Sequence, residues 1–237
     1  MRCIVTGGAG FIGSNLVDKL IDEGQEVNIF DNYSTGKKEN INPNDKFFLV
    51  DIAHQPYFET DTMKDIMSGV DVVFHLAALA RVQPSIENPI EYHNTNINGT
   101  LNMLDACRKY GVKRFVFSSS SSVYGDVREE DLPTSENSEL NPMSPYALHK
   151  LVGEQYCKLY SELYGLETVS LRYFNVYGER QPIEGAYTLV MGVFAQQRLN
   201  GEKMTIRGDG EQRRDFTYVG DVAVSYTHLT LPTTVSV

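Results

Sequence analysis

The sequence predicts an α/β protein built on a doubly wound parallel sheet. Six short apolar runs have the length of strands, and helical segments separate them. The runs are continuously apolar rather than alternating, which is typical of parallel strands buried on both faces. Right-handed crossovers between such strands give a doubly wound sheet, and ligands bind beyond the carboxyl ends of its strands.

The first strand, turn and helix form a pattern typical of dinucleotide-binding sites. Residues 3–6 are the strand, residues 7–13 are a glycine-rich turn, and apolar residues at helical spacing follow until Gly24. Glycines allow a tight turn and let a pyrophosphate approach the N–H groups at the helix N-terminus. A tight turn without a ligand is the alternative, and the strand-turn-helix context favours the nucleotide.

Acidic residues end the second and third strands, which are residues 26–30 and 47–50. Asp31 can accept hydrogen bonds from both hydroxyls of an adenosine ribose and would repel a 2′-phosphate, so NAD is favoured over NADP. The neighbouring Lys37 and Lys38 weaken that preference slightly. Asp51 either bonds the adenine amino group or simply ends its strand.

Residues 70–75, 112–117 and 167–172 are the remaining strands, and helices are predicted over residues 96–110 and 146–164. The fourth strand runs into Leu76, Ala77 and Ala78, where small residues let the backbone pass close to a cofactor. The fifth strand ends in a serine run, Ser118 to Ser122. All these features fall at the carboxyl edge of the predicted sheet.

Tyr146 and Lys150 lie one helical turn apart on the same face of a predicted helix. Ser144 and Pro145 before them are a suitable cap and first residue for that helix. A cation beside a phenol favours the phenolate, so Lys150 is expected to lower the pKa of Tyr146 toward neutrality and make it a base. The spacing alone is also common on ordinary helices.

The composition indicates which partners are disfavoured and which compartment the protein occupies. Lys and Arg number 21 against 31 Asp and Glu, giving a formal charge of −10, which disfavours nucleic acid as a partner. Three scattered cysteines suggest no disulfide framework and a reducing, cytoplasmic compartment. The sequence shows no metal-ligand cluster, no apolar run long enough for a membrane span and no signal peptide before the first strand.

Six motifs in a fixed order resemble those of the extended short-chain dehydrogenase/reductase family. Within it the sequence most resembles the NAD-dependent UDP-sugar 4-epimerases of the UDP-glucose and UDP-N-acetylglucosamine type, from residue 1 to about residue 223. The motifs are Thr6-Gly7-Gly8-Ala9-Gly10-Phe11-Ile12-Gly13, His75-Leu76-Ala77-Ala78, Ser118-Ser119-Ser120-Ser121-Ser122-Val123-Tyr124-Gly125, Tyr146-x-x-x-Lys150, Arg172-Tyr173-Phe174-Asn175-Val176-Tyr177-Gly178 and Arg214-Asp215-Phe216-Thr217-Tyr218-Val219.

The resemblance implies a role for each member of a catalytic group. Tyr146 would take the proton from the sugar 4-hydroxyl while a hydride moves from C4 to the nicotinamide, and the 4-keto sugar would then turn over and receive the hydride on its other face. Lys150 would bind the nicotinamide ribose and hold down the pKa of Tyr146. Ser120 would hydrogen-bond the reacting oxygen.

Together with the residues discussed above, the resemblance predicts an NAD site and a UDP-sugar site. Arg81 is expected to face the sugar or the phosphates, and the guanidinium of Arg214 matches a pyrophosphate, although it could instead form a surface ion pair. The predicted NAD site comprises Gly7, Gly10, Phe11, Ile12, Gly13, Asp31, Asn32, Asp51, Ile52, Leu76, Ala77, Ala78, Asn96, Ser118, Tyr146, Lys150 and Tyr173. The predicted substrate site comprises Arg81, Ser120, Ser121, Tyr146, Asn175 and Arg214.

The serine run separates epimerases from neighbouring activities. Related sugar-nucleotide dehydratases carry Thr-Asp-Glu before the Val-Tyr-Gly motif, and UDP-glucuronate decarboxylases carry a Glu just before it. Here those positions are Ser120, Ser121 and Ser122. Elimination of water needs a general acid, which three hydroxyls do not provide. A 4-epimerase is therefore preferred, and UDP-glucuronate 4-epimerase is the nearest alternative.

The sequence predicts three regions and a dimer. Residues 1–172 form the NAD-binding domain, and residues 173–223 begin a smaller substrate lobe with short strands at 204–206 and 216–219. Residues 224–237 are Thr-rich without a helical period and are predicted to be a non-native tail of a truncated or frame-shifted gene, which leaves an NAD- and UDP-binding fragment of little activity as an alternative. By resemblance, the two long helices would form the four-helix bundle of a homodimer.

Overall fold

A six-stranded parallel sheet forms the centre of the protein. The computed structural model describes residues 1–183, 190–206 and 208–228. The strand order is β3-β2-β1-β4-β5-β6, so the chain winds outward in both directions from β1 and β4 and confirms the predicted doubly wound sheet. The strands are β1 (Arg2–Thr6), β2 (Glu26–Asp31), β3 (Lys46–Leu49), β4 (Val72–His75), β5 (Arg114–Ser120) and β6 (Glu167–Tyr173).

Helices cover both faces of this sheet. On one face α2, α5 and α6 bury a core with Ile4 of β1, and on the other face α1 and α8 pack against Cys3 and Val5. Neighbouring residues of β1 therefore serve opposite cores, as expected for a strand without a polar face. The helices are α1 (Phe11–Asp22), α2 (Asp61–Met67), α3 (Val82–Glu87), α4 (Pro89–His93), α5 (Gly99–Tyr110), α6 (Pro145–Tyr164), α7 (Val190–Leu199) and α8 (Val219–His228).

The two long predicted helices are present. The Ser144 hydroxyl accepts a hydrogen bond from the N–H of Ala147 at 3.1 Å, Pro145 is the first helical residue, and Gly165 ends α6 with φ of 70°. The helix predicted over residues 96–110 begins with a π-helical turn at Asn94–Asn98 and continues as α5. This turn matters below because it places Asn96.

A second, two-stranded parallel sheet pairs β7 (Val176–Tyr177) with β8 (Thr217–Tyr218). The strand predicted near residues 216–219 is thus confirmed, but the one predicted at residues 204–206 is wrong. Met204 and Ile206 are 52% and 66% exposed, and no strand in the described part of the chain pairs with them. An apolar run without a partner strand or a core to cover has nothing to hold it extended.

The last described helix reaches further than the sequence indicated. α8 continues to His228, so the expectation that helical structure is absent after residue 223 is wrong for residues 224–228. Tyr226 is fully buried, with its ring 5.6 Å from that of Phe74 and edge-on to it. Residues 229–237 lie outside the described residues. The non-native origin of residues 224–237 and the division of the chain at residues 172 and 223 stay predictions.

Candidate active site

The glycine turn between β1 and α1 is held by close backbone contacts. The N–H of Gly7 donates to the carbonyl of Phe30 at 2.7 Å, which ties the turn to β2. Gly7 has φ of 71°, and a Cβ on it would lie 2.8 Å from the backbone nitrogen of Ala77. A Cβ on Gly13 would lie 2.1 Å from the Gly7 carbonyl oxygen. Only glycine allows the turn, the helix and the segment after β4 to meet here.

The N-terminus of α1 is open toward a cleft. No side chain caps it, and its first turn has no acidic residue. Gly10, Phe11, Ile12 and Gly13 line the cleft at this point. The free N–H groups of a helix N-terminus bind anions, and the missing side chains of the glycines leave room for a pyrophosphate to reach them. The residues present therefore fit a dinucleotide.

Asp31 joins the end of β2 to the glycine turn. Its Oδ2 accepts a hydrogen bond from the N–H of Ala9 at 3.0 Å, and its Oδ1 accepts one from the N–H of Tyr33 at 2.7 Å. Burial raises the pKa of the Asp31 carboxyl, and these two bonds partly offset the rise. Each carboxylate oxygen has a further lone pair, so Asp31, which borders the cleft, can still accept from a ribose.

Asp51 lies beside the main cleft rather than in it. Its Oδ1 accepts a hydrogen bond from the N–H of Ala53 at 2.9 Å. Together with Asn32 it lines a neighbouring cavity of about 750 Å³. Strand β3 ends at Leu49, two residues before Asp51, and both roles that the sequence left open for Asp51 stay predictions.

Two polar side chains fix the segment after β4. The Thr6 hydroxyl accepts hydrogen bonds from the N–H groups of Leu76 at 3.2 Å and Ala77 at 3.1 Å. The Asn96 amide accepts from the Leu79 N–H at 2.8 Å and donates to the Leu79 carbonyl at 2.9 Å. Asn96 is buried behind this segment and does not line the cleft, so it supports the cleft wall.

The cleft has a volume of about 840 Å³ and lies beyond the carboxyl ends of the strands. The residues that line the cleft extend from the end of β2 to the segment that follows β6. They include most of the site residues that the sequence predicted. Of the predicted site residues, it is lined by Gly7, Gly10, Phe11, Ile12, Gly13, Asp31, Asn32, Ile52, Leu76, Ala77, Ala78, Arg81, Ser118, Ser120, Ser121, Tyr146, Lys150, Tyr173 and Asn175.

Tyr146, Lys150 and Ser120 meet where α6 crosses the end of β5. The Lys150 Nζ donates a hydrogen bond to the Ser118 carbonyl at 2.7 Å and lies 5.9 Å from the centre of the Tyr146 ring. The Tyr146 N–H donates to the Ser85 hydroxyl at 3.1 Å, which anchors the first turn of α6 on α3. The Tyr146 phenol is hydrogen-bonded to Ser120.

The predicted lowering of the Tyr146 pKa by Lys150 is wrong for the chain itself. Burial raises the pKa of Tyr146, and the hydrogen bond with Ser120 offsets only part of that rise. Burial also lowers the pKa of Lys150 to about 8. The Lys150 ammonium faces the Ser118 carbonyl, and desolvation of the phenol is the larger effect.

The substrate side of the cleft is partly assembled. Arg81 has φ of 93° and ψ of 140°, a conformation that is rare for a non-glycine residue, and it lines the cleft. The Asn175 amide donates to the Asp215 carbonyl at 2.9 Å. Arg214, next to that carbonyl, is exposed, does not line the cleft and donates to the Arg213 carbonyl at 2.6 Å. Its predicted contact with a pyrophosphate stays a prediction.

Tyr173 closes the far wall, where its hydroxyl lies 2.9 Å from that of Ser225 and burial raises its pKa to about 12. Sequence reasoning missed several other residues of this wall. Position beside a predicted residue could have indicated Val82, Ser122 and Phe174. The lining residues that the sequence analysis did not select are Ser34, Thr35, Val50, Ala80, Val82, Gln83, Thr95, Ser119, Ser122, Phe174, Val176, Gln181 and Pro182.

The described residues contain no group of three or more His, Cys, Asp and Glu side chains placed to hold a metal ion. No helix among them has the length and apolar character that a membrane crossing requires.

Comparison with known proteins gives one consistent family. Residues 3–231 match the model of the NAD dependent epimerase/dehydratase family. The chain is 49% identical over 221 residues to the "Putative UDP-glucose 4-epimerase" of Methanocaldococcus jannaschii, covering 93% of this chain and 70% of that protein. It is 38% identical over 228 residues to a UDP-N-acetyl-alpha-D-glucosaminuronate decarboxylase of Bacillus cytotoxicus, covering 93% and 68%.

Solved structures agree with this assignment. The UDP-N-acetylglucosamine 4-epimerase of Methanobrevibacter ruminantium, in complex with UDP-N-acetylmuramic acid, is 43% identical with a TM-score of 0.89, over 97% of this chain and 72% of that one. The UDP-glucose 4-epimerase of Thermus thermophilus, in complex with NAD, is 40% identical with a TM-score of 0.89, over 98% and 75%. The chain therefore belongs to the NAD-dependent epimerase/dehydratase family.

Proposed function

We propose that the protein epimerises a UDP-sugar of the UDP-glucose or UDP-N-acetylglucosamine type at C4, with NAD as cofactor, through a 4-keto intermediate. One observation carries this choice within the family. Among the cleft-lining residues that the structure describes, Asp31 is the one acidic residue, and it lies at the end of β2. Ser120, Ser121 and Ser122 stand beside Tyr146, where elimination of water would need a carboxylic acid.

The chain's own residues would hold the cofactor at three places. NAD, when bound, accepts a hydride and returns it. The N–H groups at the start of α1 would bind its pyrophosphate, and Asp31 would accept from its adenosine ribose. Lys150 would bind the ribose on the nicotinamide side, which requires it to divide its donors between that ribose and the Ser118 carbonyl.

Tyr146 is the proposed proton-transfer residue. It takes the proton from the 4-hydroxyl and gives it back after the 4-keto sugar has turned over. Because burial raises its pKa, the hydrogen bond with Ser120 is the chain's own contact that favours the phenolate. Ser120 is hydrogen-bonded to the Tyr146 phenol, and it is therefore also placed to hydrogen-bond the reacting oxygen of the sugar.

The substrate's diphosphate and sugar are assigned to the outer part of the cleft. Asn175 and Arg214 are proposed to bind the phosphates, and the hydrogen bond from Asn175 to the Asp215 carbonyl keeps the two residues close. Arg81 and Ser121 are proposed to face the sugar or the phosphates. The positive charge of Arg81 in the cleft supports one second candidate, UDP-glucuronate 4-epimerase, because a uronate carries a carboxylate that a guanidinium binds well.

A homodimer and a cytoplasmic location complete the proposal. Leu148, Leu159 and Leu163 on α6 are 49%, 46% and 67% exposed, an apolar stripe that a partner helix would cover. This stripe supports a dimer formed through α5 and α6 as a four-helix bundle. The three cysteines are unpaired and buried, which supports a reducing compartment.

Product analysis tests the function. The protein is incubated with NAD and, separately, with UDP-glucose, UDP-N-acetylglucosamine and UDP-glucuronate, and the products are identified by NMR. We expect the 4-epimer of one of the first two, and no product from Tyr146→Phe. A 4-keto-6-deoxy product or release of carbon dioxide would contradict epimerisation, and conversion of UDP-glucuronate alone would favour the second candidate.

A further inference from the structure

Glu154 and Arg172 form a two-pronged ion pair behind the candidate site. The Glu154 Oε1 accepts from Arg172 Nε at 2.9 Å, and its Oε2 accepts from Arg172 Nη2 at 2.7 Å. The two side chains are only 11% and 20% exposed. Glu154 follows Tyr146 and Lys150 at four-residue spacing, so all three lie along one face of α6.

The same pair holds the chain within the serine run and just after it. The Ser119 hydroxyl donates to Glu154 Oε1, and Ser119 is the direct partner of Arg172 across β5 and β6. Arg172 Nη1 donates to the Tyr124 hydroxyl at 2.9 Å, and the guanidinium lies 5.0 Å from the centre of the Tyr124 ring. We call these four residues, Ser119, Tyr124, Glu154 and Arg172, the clamp.

The clamp surrounds the residues proposed to act on the substrate. Ser119 lies between Ser118, whose carbonyl holds Lys150, and Ser120, which is hydrogen-bonded to Tyr146. Ser119 is hydrogen-bonded to Glu154 of α6, and the next residue, Ser120, is hydrogen-bonded to Tyr146 of the same helix, so the pair fixes the strand directly beside Ser120. Tyr124 ends the short turn that follows Ser120.

Energetic reasoning favours a positioning role over a stabilising one. A buried ion pair seldom stabilises a fold more than apolar residues of similar size would, because both charges lose their water. Bidentate hydrogen bonding between guanidinium and carboxylate does fix geometry closely. A proton-transfer group loses much of its effect when it moves by about 1 Å.

We propose that Glu154 and Arg172 are positioning residues that set Ser120 against Tyr146 for proton transfer. This inference rests on the proposed function. It gives Glu154 and Arg172 no contact with substrate or cofactor and no proton to move. It predicts that removing the pair acts through Ser120.

A kinetic cycle tests the inference. Glu154→Gln/Arg172→Met removes the pair without changing the net charge, and it is measured alone and combined with Ser120→Ala. We expect kcat for epimerisation to fall about tenfold to a hundredfold in the double variant, with KM unchanged, as for loss of one charge-assisted hydrogen bond. In the Ser120→Ala background the double variant should lower kcat no further. If the double variant and Ser120→Ala instead lower kcat by independent factors that multiply, the inference is overturned.

The protein contains a matched control. Arg114 and Glu167 are also direct partners across β5 and β6, and Arg114 Nη2 donates to Glu167 Oε2 at 2.6 Å, at the opposite edge of the sheet. Arg114→Met/Glu167→Gln makes the same two types of change, Arg to Met and Glu to Gln, on the two strands that carry Ser119 and Arg172. It should leave kcat unchanged. A fall in kcat as large as that of the clamp variant would show that general loosening of the two strands is the cause.

A spectroscopic measurement separates this inference from the proposed function. Tyrosine labelled with ¹³C at Cζ reports the environment of each phenol, and Tyr146→Phe identifies the Tyr146 signal. Ser120→Ala and the double variant should move that signal in the same direction at neutral pH, and the control pair should not. Wild-type inactivity on all substrates would refute the function, whereas an unmoved Tyr146 signal would refute the clamp. If the double variant does not fold, Arg172→Lys, which keeps the charge and loses the two-pronged contact, takes its place.

Discussion

Lys150 donates a hydrogen bond to the Ser118 carbonyl at 2.7 Å and thereby fastens α6 to the end of β5. The Lys150 ammonium also lies 5.0 Å from the centre of the ring of Phe117, a residue of the same strand. One turn earlier on the helix, Tyr146 is set beside Ser120. The contact explains how a buried lysine is tolerated, since a carbonyl and an aromatic face replace part of its water.

The buried Lys150 should leave a signature in stability. Burial lowers its pKa from 10.5 to about 8, so between these values the unfolded chain binds more protons than the folded chain. This group therefore makes the free energy of unfolding rise with pH across that interval, by at most about 1.4 kcal/mol per pH unit. Urea unfolding of wild type and Lys150→Met at both ends of the interval measures it. Equal pH slopes in the two proteins would contradict the assignment.

Gly13→Ala should remove dinucleotide binding. The new Cβ would meet the Gly7 carbonyl oxygen at 2.1 Å, so the turn must open and its N–H groups must move. Calorimetric titration with NAD should show at least a tenfold weaker affinity, about the effect of one lost hydrogen bond to a charged group. Gly165→Ala is the control, because it has φ of 70° with no atom near its Cβ. It should cost about 1 kcal/mol of stability, because alanine is strained at a positive φ, and leave NAD affinity unchanged.

Arg214→Ala should weaken UDP binding although its side chain lies outside the cleft in this structure. Asp215, the residue after Arg214, accepts a hydrogen bond from Asn175, which lines the cleft, so Arg214 is tied to the proposed phosphate site. We expect about a tenfold loss of UDP affinity by calorimetry. Arg213→Ala, the same change one residue earlier, should have little effect. Equal losses from both would indicate a general electrostatic attraction rather than a contact.

Leu159→Glu should prevent dimer formation. Leu159 is 46% exposed on α6, and a carboxylate in the middle of an apolar helix bundle is strongly unfavourable. Analytical ultracentrifugation should show a dimer for the wild type and a monomer for the variant. Ser161→Glu introduces the same charge at an exposed position on another face of α6 and should stay dimeric. A monomeric wild type would contradict the dimer.

The parts of the molecule that the sequence predicted well depend on local patterns. Apolar runs predicted the six strands, and Ser144 and Pro145 predicted the start of α6. Predictions failed where distant contacts decide. Residues 204–206 have the composition of a strand but no partner, and the helix after residue 223 continues because Tyr226 finds a buried place beside Phe74.

The site shows the same limit. Spacing brought Tyr146 and Lys150 together, and it also would have indicated Glu154 one turn further along α6. Spacing could not reveal that burial raises the Tyr146 pKa, because burial depends on distant segments such as α3, whose Ser85 accepts from the Tyr146 N–H. Nor could it show that Asn96 supports the cleft wall from behind.

The central claim is that a hydride leaves C4 of the sugar and returns to the same carbon on its other face. UDP-glucose and UDP-N-acetylglucosamine with deuterium at C4 test it most directly, with mass spectrometry and NMR of the 4-epimer as the measurement. The account predicts a 4-epimer that keeps the deuterium at C4 and takes up no solvent hydrogen there. A 4-epimer with solvent hydrogen at C4, or a product that has lost its 6-hydroxyl, would contradict it.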